Sequence, residues 1–289
     1  MFRDAFDHLD SLNDDIDDLM LDHNLEPQDD FEGLSPFQMY HILYDTFGKD
    51  SILSLKQMDV EEYFQIPIFN NIHHLLSIIE NAGELKLTNA GYLPVKEVRT
   101  IYDKSLVKDE FEKYRSSLKN LKENDSGVVS LTRSIAEIAG LIKKRYNKLS
   151  LTKNGEKLIK NHHKLHEKIM SAYVNRLNWG YFDGYDADGL AQMGFGYSIF
   201  LIYKYGAEKR LTDFYAEKYF RAYPMMMMDE AQAIYRTAEE YSLSCYSIRT
   251  FDRFLYYFGA VEIETGTGWR DHILINKTDL FDKLFEVKL

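Results

Sequence analysis

The stretch GLIKKRYNKLSLTKNGEKLI, residues 140–159, constrains the fold more tightly than any other. Gly140 closes the helix before it, since glycine enters the left-handed conformation of a helix end at little steric cost. The alternation in LSLT then describes a short strand, which pairs with LIKKR across a polar turn. Thr152 is placed to cap a further helix through its hydroxyl. A helix, a β-hairpin and a second helix must therefore follow one another within about thirty residues.

Related patterns occur twice more. A helix ending at Gly83 is followed by ELKLTNAG, which shares L-x-L-T-x-x-G with residues 149–155, at Leu85 to Gly91. A third helix, ending at Gly259, leads through AVEIETGTGWRD to HILINKTDLFDKLF, with TGTG at 265–268 as a turn signal. In that copy Asn276 falls where the threonine is expected and Asp279 where the glycine is expected. In the first copy, which lacks the earlier strand, Thr88 is read as the cap, and Pro94 sets the start of the next helix near Leu93.

The remainder reads as helix. Ser35 and Pro36 open a helix over LSPFQMYHILYDTF, and Ile72, Leu75, Leu76 and Ile79 line one face of the next. FGYSIFLIY at 195–203 is a core helix, too short for the roughly 20 residues a bilayer requires. Gly194 and Gly196 admit close neighbours there. The expected fold class is mainly α (α+β): a helical body with two or three hairpin-bearing units, each with a short two-stranded β-hairpin. The boundaries are an acidic segment at 1–32, a helical domain with a degenerate unit at 33–125, a unit at 126–165, a helical region with a Gly/aromatic loop at 166–242, and a C-terminal unit at 243–289.

Charge is distributed unevenly. Residues 1–32 hold twelve acids against Arg3 alone, a net of −11 that equals the charge of the whole chain. Residues 140–168 hold nine bases against Glu156 and Glu167, a net of +7. A pI near 5.3 therefore describes neither surface. Apolar residues Phe2, Phe6, Leu9, Leu12, Ile16, Leu19 and Met20 recur between the acids at near-helical spacing, so the segment is either a solubilising tail or an amphipathic helix able to fold back on the basic region.

Residues 128–160, and more loosely 243–289, resemble the recognition helix, hairpin and following helix of winged-helix proteins of the MarR or PadR type. The chain as a whole is similar to a family of uncharacterised bacterial proteins marked by LSPFQMYHILYDTF, GELKLTNAGYLP and NWGYFDGY, a region also found fused to plasmid-encoded ORF-3-like modules. The resemblance implies winged-helix units in a bacterial accessory or mobile-element setting. It brings no activity and no catalytic residues.

These readings yield two candidate sites. Lys143, Lys144, Arg145, Lys148, Lys153 and Lys157 project from the hairpin and its following helix as phosphate contacts. Arg133, with Thr132, Ser134 and Glu137, would face a groove. Trp179, Tyr181, Phe182 and Tyr185 in NWGYFDGYDADG would line a pocket or partner surface. The two functional readings are a DNA-associated or regulatory module and a protein-interaction scaffold.

His162 and His166 stand one helical turn apart, a spacing able to chelate a metal, without an evident third ligand. Asp183, Asp186 and Asp188 do not fit a calcium-loop template. No catalytic motif is present, and Cys245 has no adjacent histidine, so no enzyme and no cofactor are expected. The single cysteine and the absence of a signal pattern at MFRDAFDHLD point to the cytoplasm, with no membrane contact. Nothing in the sequence sets an oligomeric state.

Overall fold

In a computed structural model of the protein, the described residues are 23–108, 120–185, 187–228, 237–265 and 273–289. They form a mixed α/β body in which helices dominate and small antiparallel sheets join them. The apolar run proposed for residues 2–20 lies outside the described residues. Among those described, no helix is long and apolar enough to cross a membrane.

Helix α1 (Pro36–Tyr44) starts where expected. The Ser35 hydroxyl accepts from the Gln38 amide at 3.2 Å while the Gln38 side chain accepts from the Ser35 amide at 2.9 Å, a reciprocal cap that satisfies two otherwise orphaned donors. Strand β1 (Leu53–Leu55) and the short helix α2 (Val60–Tyr63) lead to α3 (Pro67–Ala82), which buries Ile72, Leu75, Leu76 and Ile79 as one stripe.

From α3 onward one element order is used twice. The first unit runs α3, β2 (Leu85–Lys86), α4 (Val95–Lys104), α5 (Gly127–Ile138), β3 (Ile142–Arg145), β4 (Lys148–Leu151) and α6 (Lys153–Leu158). Helix α7 (His162–Asn175) then leads to the second unit. That unit runs α8 (Phe195–Tyr205), β5 (Arg210–Leu211), α9 (Thr212–Ala222), α10 (Ala238–Ser247) with a π-helical continuation Ile248–Leu255, β6 (Val261–Thr265), β7 (Ile273–Lys277) and α11 (Asp279–Leu284). Both sheets have the strand order first, third, second: β2-β4-β3 and β5-β7-β6. The expected two-stranded hairpins are thus three-stranded sheets, because a short strand from earlier in each unit adds to the hairpin edge.

The equivalence extends to single hydrogen bonds. Thr152 Oγ1 donates to the Gly140 carbonyl at 2.7 Å and accepts from the Gly155 amide at 2.9 Å. Thr278 Oγ1 donates to the Gly259 carbonyl at 2.6 Å and accepts from the Phe281 amide at 3.2 Å. Thr278, not Asn276, is therefore the counterpart of Thr152, and Phe281, not Asp279, the counterpart of Gly155. Gly155 is glycine for a local reason: a Cβ there would lie 2.1 Å from the Leu141 carbonyl oxygen.

The L-x-L-T-x-x-G at Leu85–Gly91 has a different status. Leu85 and Lys86 pair with Leu149 and Lys148, so the two copies of the motif contribute neighbouring strands of one sheet rather than separate units. Thr88 closes a turn by accepting from the Tyr92 amide, and α4 begins at Val95 with Pro94 as its N-cap, two residues beyond the expected Leu93.

The two units pack as one body. Helix α8 lies against α1 at Gly196, where a Cβ would come within 3.1 Å of the Ile42 carbonyl oxygen. Strand β8 (Phe285–Val287) pairs antiparallel with β1, joining Leu53 to Val287. One extended core of aliphatic and aromatic side chains runs through both units.

Candidate nucleic-acid interface

Strand alternation and register assign the faces of the first sheet. Ile142, Leu149, Leu151 and Leu85 are buried, so their strand neighbours Lys143, Arg145, Lys148, Ser150 and Lys86 share the outer face. The register sets Lys86 opposite Lys148 and Lys148 opposite Arg145. Three cations therefore form one row across three strands, about 5 Å apart, an arrangement that like-charge repulsion makes unfavourable. Lys143, Lys144, Arg145, Lys148, Lys86, Lys153 and Lys157 are all exposed. Lys148 has a carboxylate partner, Glu84 at 2.6 Å, in an exposed pair that contributes little. Lys144 lies on the other face of β3, where its ammonium is folded against Gly91. Lys86 was not legible as a site residue, since only the sheet register brings it beside the hairpin.

The second unit presents different chemistry at the same positions. Its register places Leu211, Leu274 and Glu264 where the first has Lys86, Lys148 and Arg145, and Glu262 where the first has Lys143. Glu264 is paired with Lys209, and Glu262 accepts from the Asn276 side chain at 3.0 Å. One scaffold thus carries a cationic outer face in one copy and an apolar and acidic face in the other. The second copy closes the same three-stranded sheet without a cation row.

The helix before the hairpin departs from expectation. Thr132 and Arg133 are buried. The Arg133 guanidinium donates to both Glu123 oxygens at 3.1 and 3.0 Å, to Glu137 at 2.9 Å and to the Gly91 carbonyl at 3.0 Å. Buried, with Nε and Nη1 committed to these partners, Arg133 ties α5 to the 88–92 turn and is not presented as a base-reading group. Only Gly127, Ser130, Ser134, Glu137 and Ile138 of α5 reach the surface, which leaves the helix without the arginine or amide set that reads base edges.

The aromatic loop is not one pocket. Trp179 is buried against Tyr173 and Phe254 and donates its indole N–H to the Tyr173 carbonyl at 2.9 Å. Tyr181 is exposed, Tyr185 packs edge-on against Tyr241, and the Phe182 side chain lies outside the described residues. Asp183 is instead the counter-ion of Arg249, with Nε to Oδ2 at 2.6 Å and Nη2 to Oδ1 at 3.2 Å. Arg249 also donates to the carbonyls of Tyr185, Ala187 and Leu190, so one buried guanidinium gathers the whole loop onto the π-helix.

The histidines serve packing. His166 is fully buried beside Tyr63 and Phe258, and burial pushes its imidazole down to about 3. His162 packs against Phe64, Phe69 and His73, and His163 hydrogen-bonds the Tyr63 hydroxyl at 3.0 Å. The one-turn spacing of His162 and His166 therefore does not make a chelate, since His166 is sealed in the core. Among the described residues no group of three His, Cys, Asp or Glu side chains is placed to hold a metal. Cys245 is buried, and that burial pushes its thiol up to about 12.

No protein-family model, curated protein or solved structure matches the chain. The candidate interface rests on its own geometry.

Proposed function

We propose that the chain is a non-catalytic nucleic-acid-associated module of the cytoplasm, built from two winged-helix units, whose first wing holds phosphates on Lys86, Arg145, Lys148 and Lys143. The observation that carries this reading is the cation row, which has one exposed carboxylate, Glu84 at Lys148, set against it and which the second copy of the same scaffold does without. Polyanion binding supplies the compensation that one exposed carboxylate does not, through ion pairing and counterion release. The buried Arg133 and the surface of α5, which offers two serines and Glu137 but no arginine or amide, favour backbone contact over sequence readout. A protein-scaffold reading draws on a separate observation, the exposed Phe37, Tyr40 and Tyr44 along one side of α1.

The test is duplex-DNA affinity as a function of salt for the wild-type chain and for Lys86→Ala/Lys143→Ala/Arg145→Ala/Lys148→Ala. The expected result is that log K falls linearly with log salt for the wild type, and that the variant's slope is shallower by about 3 to 4, near 0.9 per lost phosphate contact. Placing lysine at Glu262 and Glu264 is expected to steepen the slope by creating a second contact face. Wild-type and quadruple-variant curves that coincide would remove the interface.

A further inference from the structure

The hairpin tip carries a feature that phosphate contact does not use. Tyr146 and Asn147 form the two-residue turn between β3 and β4, with φ of 47° and 58°. Such turns favour asparagine, aspartate and glycine, which enter the left-handed region readily, whereas a tyrosine there strains the backbone. Tyr146 is nonetheless 97% exposed, the most solvent-accessible large apolar side chain among the described residues. Among the described residues its ring packs on no other aromatic or cationic group.

The turn is also held in place. The Asn147 side-chain amide donates to the Thr88 carbonyl at 2.7 Å and to the Leu87 carbonyl at 3.3 Å, and the Asn147 backbone carbonyl accepts from the Leu87 amide at 2.9 Å. These bonds moor the tip to the neighbouring loop. Tyr146 is thus carried on a fixed support, with its backbone chosen by the turn and its ring free in solvent. Arg145 precedes it and Lys148 follows the turn, both on the outer face of the cation row.

A bare aromatic ring on a moored turn beside phosphate-binding cations is the arrangement that receives an unstacked nucleobase. Each base has a π-face that stacks on tyrosine whatever its identity, while the cations track the backbone. We infer that Tyr146 is a stacking platform for one unpaired base, and that the preferred ligand of the wing is single-stranded nucleic acid or an unpaired end rather than continuous duplex. This rests on the phosphate-contact reading above and adds the substrate class to it. The shared chemistry is a base attached to a phosphodiester strand, from either DNA or RNA.

The experiment compares wild type, Tyr146→Ala and Tyr146→Trp for binding to fluorescent twelve-residue single strands of thymidylate and of uridylate, a blunt twelve-base-pair duplex, and inorganic polyphosphate, each over a range of salt. Tyr146→Ala is expected to weaken both single strands by about 5- to 150-fold, the range for one stacked base, with the salt slope and polyphosphate affinity unchanged. Tyr146→Trp is expected to restore the affinity, with indole fluorescence quenched on binding. The tighter of the two strands identifies the source.

Unchanged single-strand affinity in Tyr146→Ala would overturn the stacking role while leaving the phosphate interface standing. So would an equal loss on polyphosphate, which has no bases, and so would a loss confined to duplex, which would make Tyr146 a groove wedge. Failure of the wild type to bind any of the four polyanions at low salt would instead overturn the phosphate reading, and the stacking inference with it.

Discussion

Arg249→Met is expected to destabilise the protein by about 3–5 kcal/mol, the cost of removing one partner from a buried ion pair. Arg249 and Asp183 side chains are 1% and 2% exposed, so the variant leaves a carboxylate in the core without a counter-ion or access to water. It also strips donors from the carbonyls of Tyr185, Ala187 and Leu190, and an unsatisfied buried acceptor costs further. Gly180 is glycine for the same reason, since a Cβ there would approach a guanidinium nitrogen to 2.9 Å. Thermal unfolding should show a midpoint lowered by roughly 10 °C. Hydrogen exchange should show early loss of protection at the Tyr185 and Ala191 amides, which close the loop on Asp183 and Tyr219. The double variant Arg249→Met/Asp183→Leu should recover part of the loss, because it removes the stranded charge. If Arg249→Met melts with the wild type, the guanidinium does not hold the loop.

Acid weakens the fold through His166. Its imidazole titrates near 6.5 when unfolded but near 3 when folded, because burial beside Tyr63 and Phe258 penalises the cation. The unfolded chain therefore takes up a proton that the folded chain refuses. The associated stability is complete above pH 6.5 and is lost below it, at about 1.4 kcal/mol per pH unit until about pH 3. Between pH 7 and pH 5 the expected loss from this residue is about 2 kcal/mol. His73 and His74, also pushed down by burial, act with the same sign. Urea unfolding of wild type and His166→Leu at pH 7.5 and 5.0 checks this: the variant should lose less stability across the interval. Equal pH dependence in the two chains would place the acid sensitivity elsewhere.

The local signals in the sequence were reliable where one residue answers to its neighbours. The Ser35 cap, the apolar stripe of α3, the Gly140 helix end and the Thr152 cap all depend on spacing within a few residues. Repeats were harder, because similar letters and similar positions diverged. Leu85–Gly91 and Leu149–Gly155 share a motif yet contribute adjacent strands of one sheet, while residues 140–158 and 259–284 share a hydrogen-bond scheme under different letters. Length variation in the second hairpin moved the capping threonine to Thr278.

The site was half legible for a related reason. A hairpin rich in lysine and arginine is visible in the chain, and so is its excess of positive charge. Whether a given cation is free depends on what folds over it, so Arg133 reads like Lys143 until Glu123 and Glu137 are seen beside it. The absence of any marker for Lys86 follows from its distance of some sixty residues from the strand it joins. The exposure of Tyr146 likewise depends on the turn geometry, and no pattern of apolar letters distinguishes it from a core tyrosine such as Tyr173.

The pairing of β1 with β8 has a consequence for synthesis. Leu53 meets Val287 across 234 positions, whereas the first sheet is complete once Leu151 has been made. At the usual 5 to 20 residues per second, β1 leaves the ribosome with its edge uncovered for roughly 10 to 50 s before its partner exists. The first unit can close in that interval and the clasp cannot. An unpaired edge of that lifetime is a place where a nascent chain is open to wrong partners, so slowing translation between Leu151 and Phe285 should lower the yield of folded protein without altering the stability of what folds.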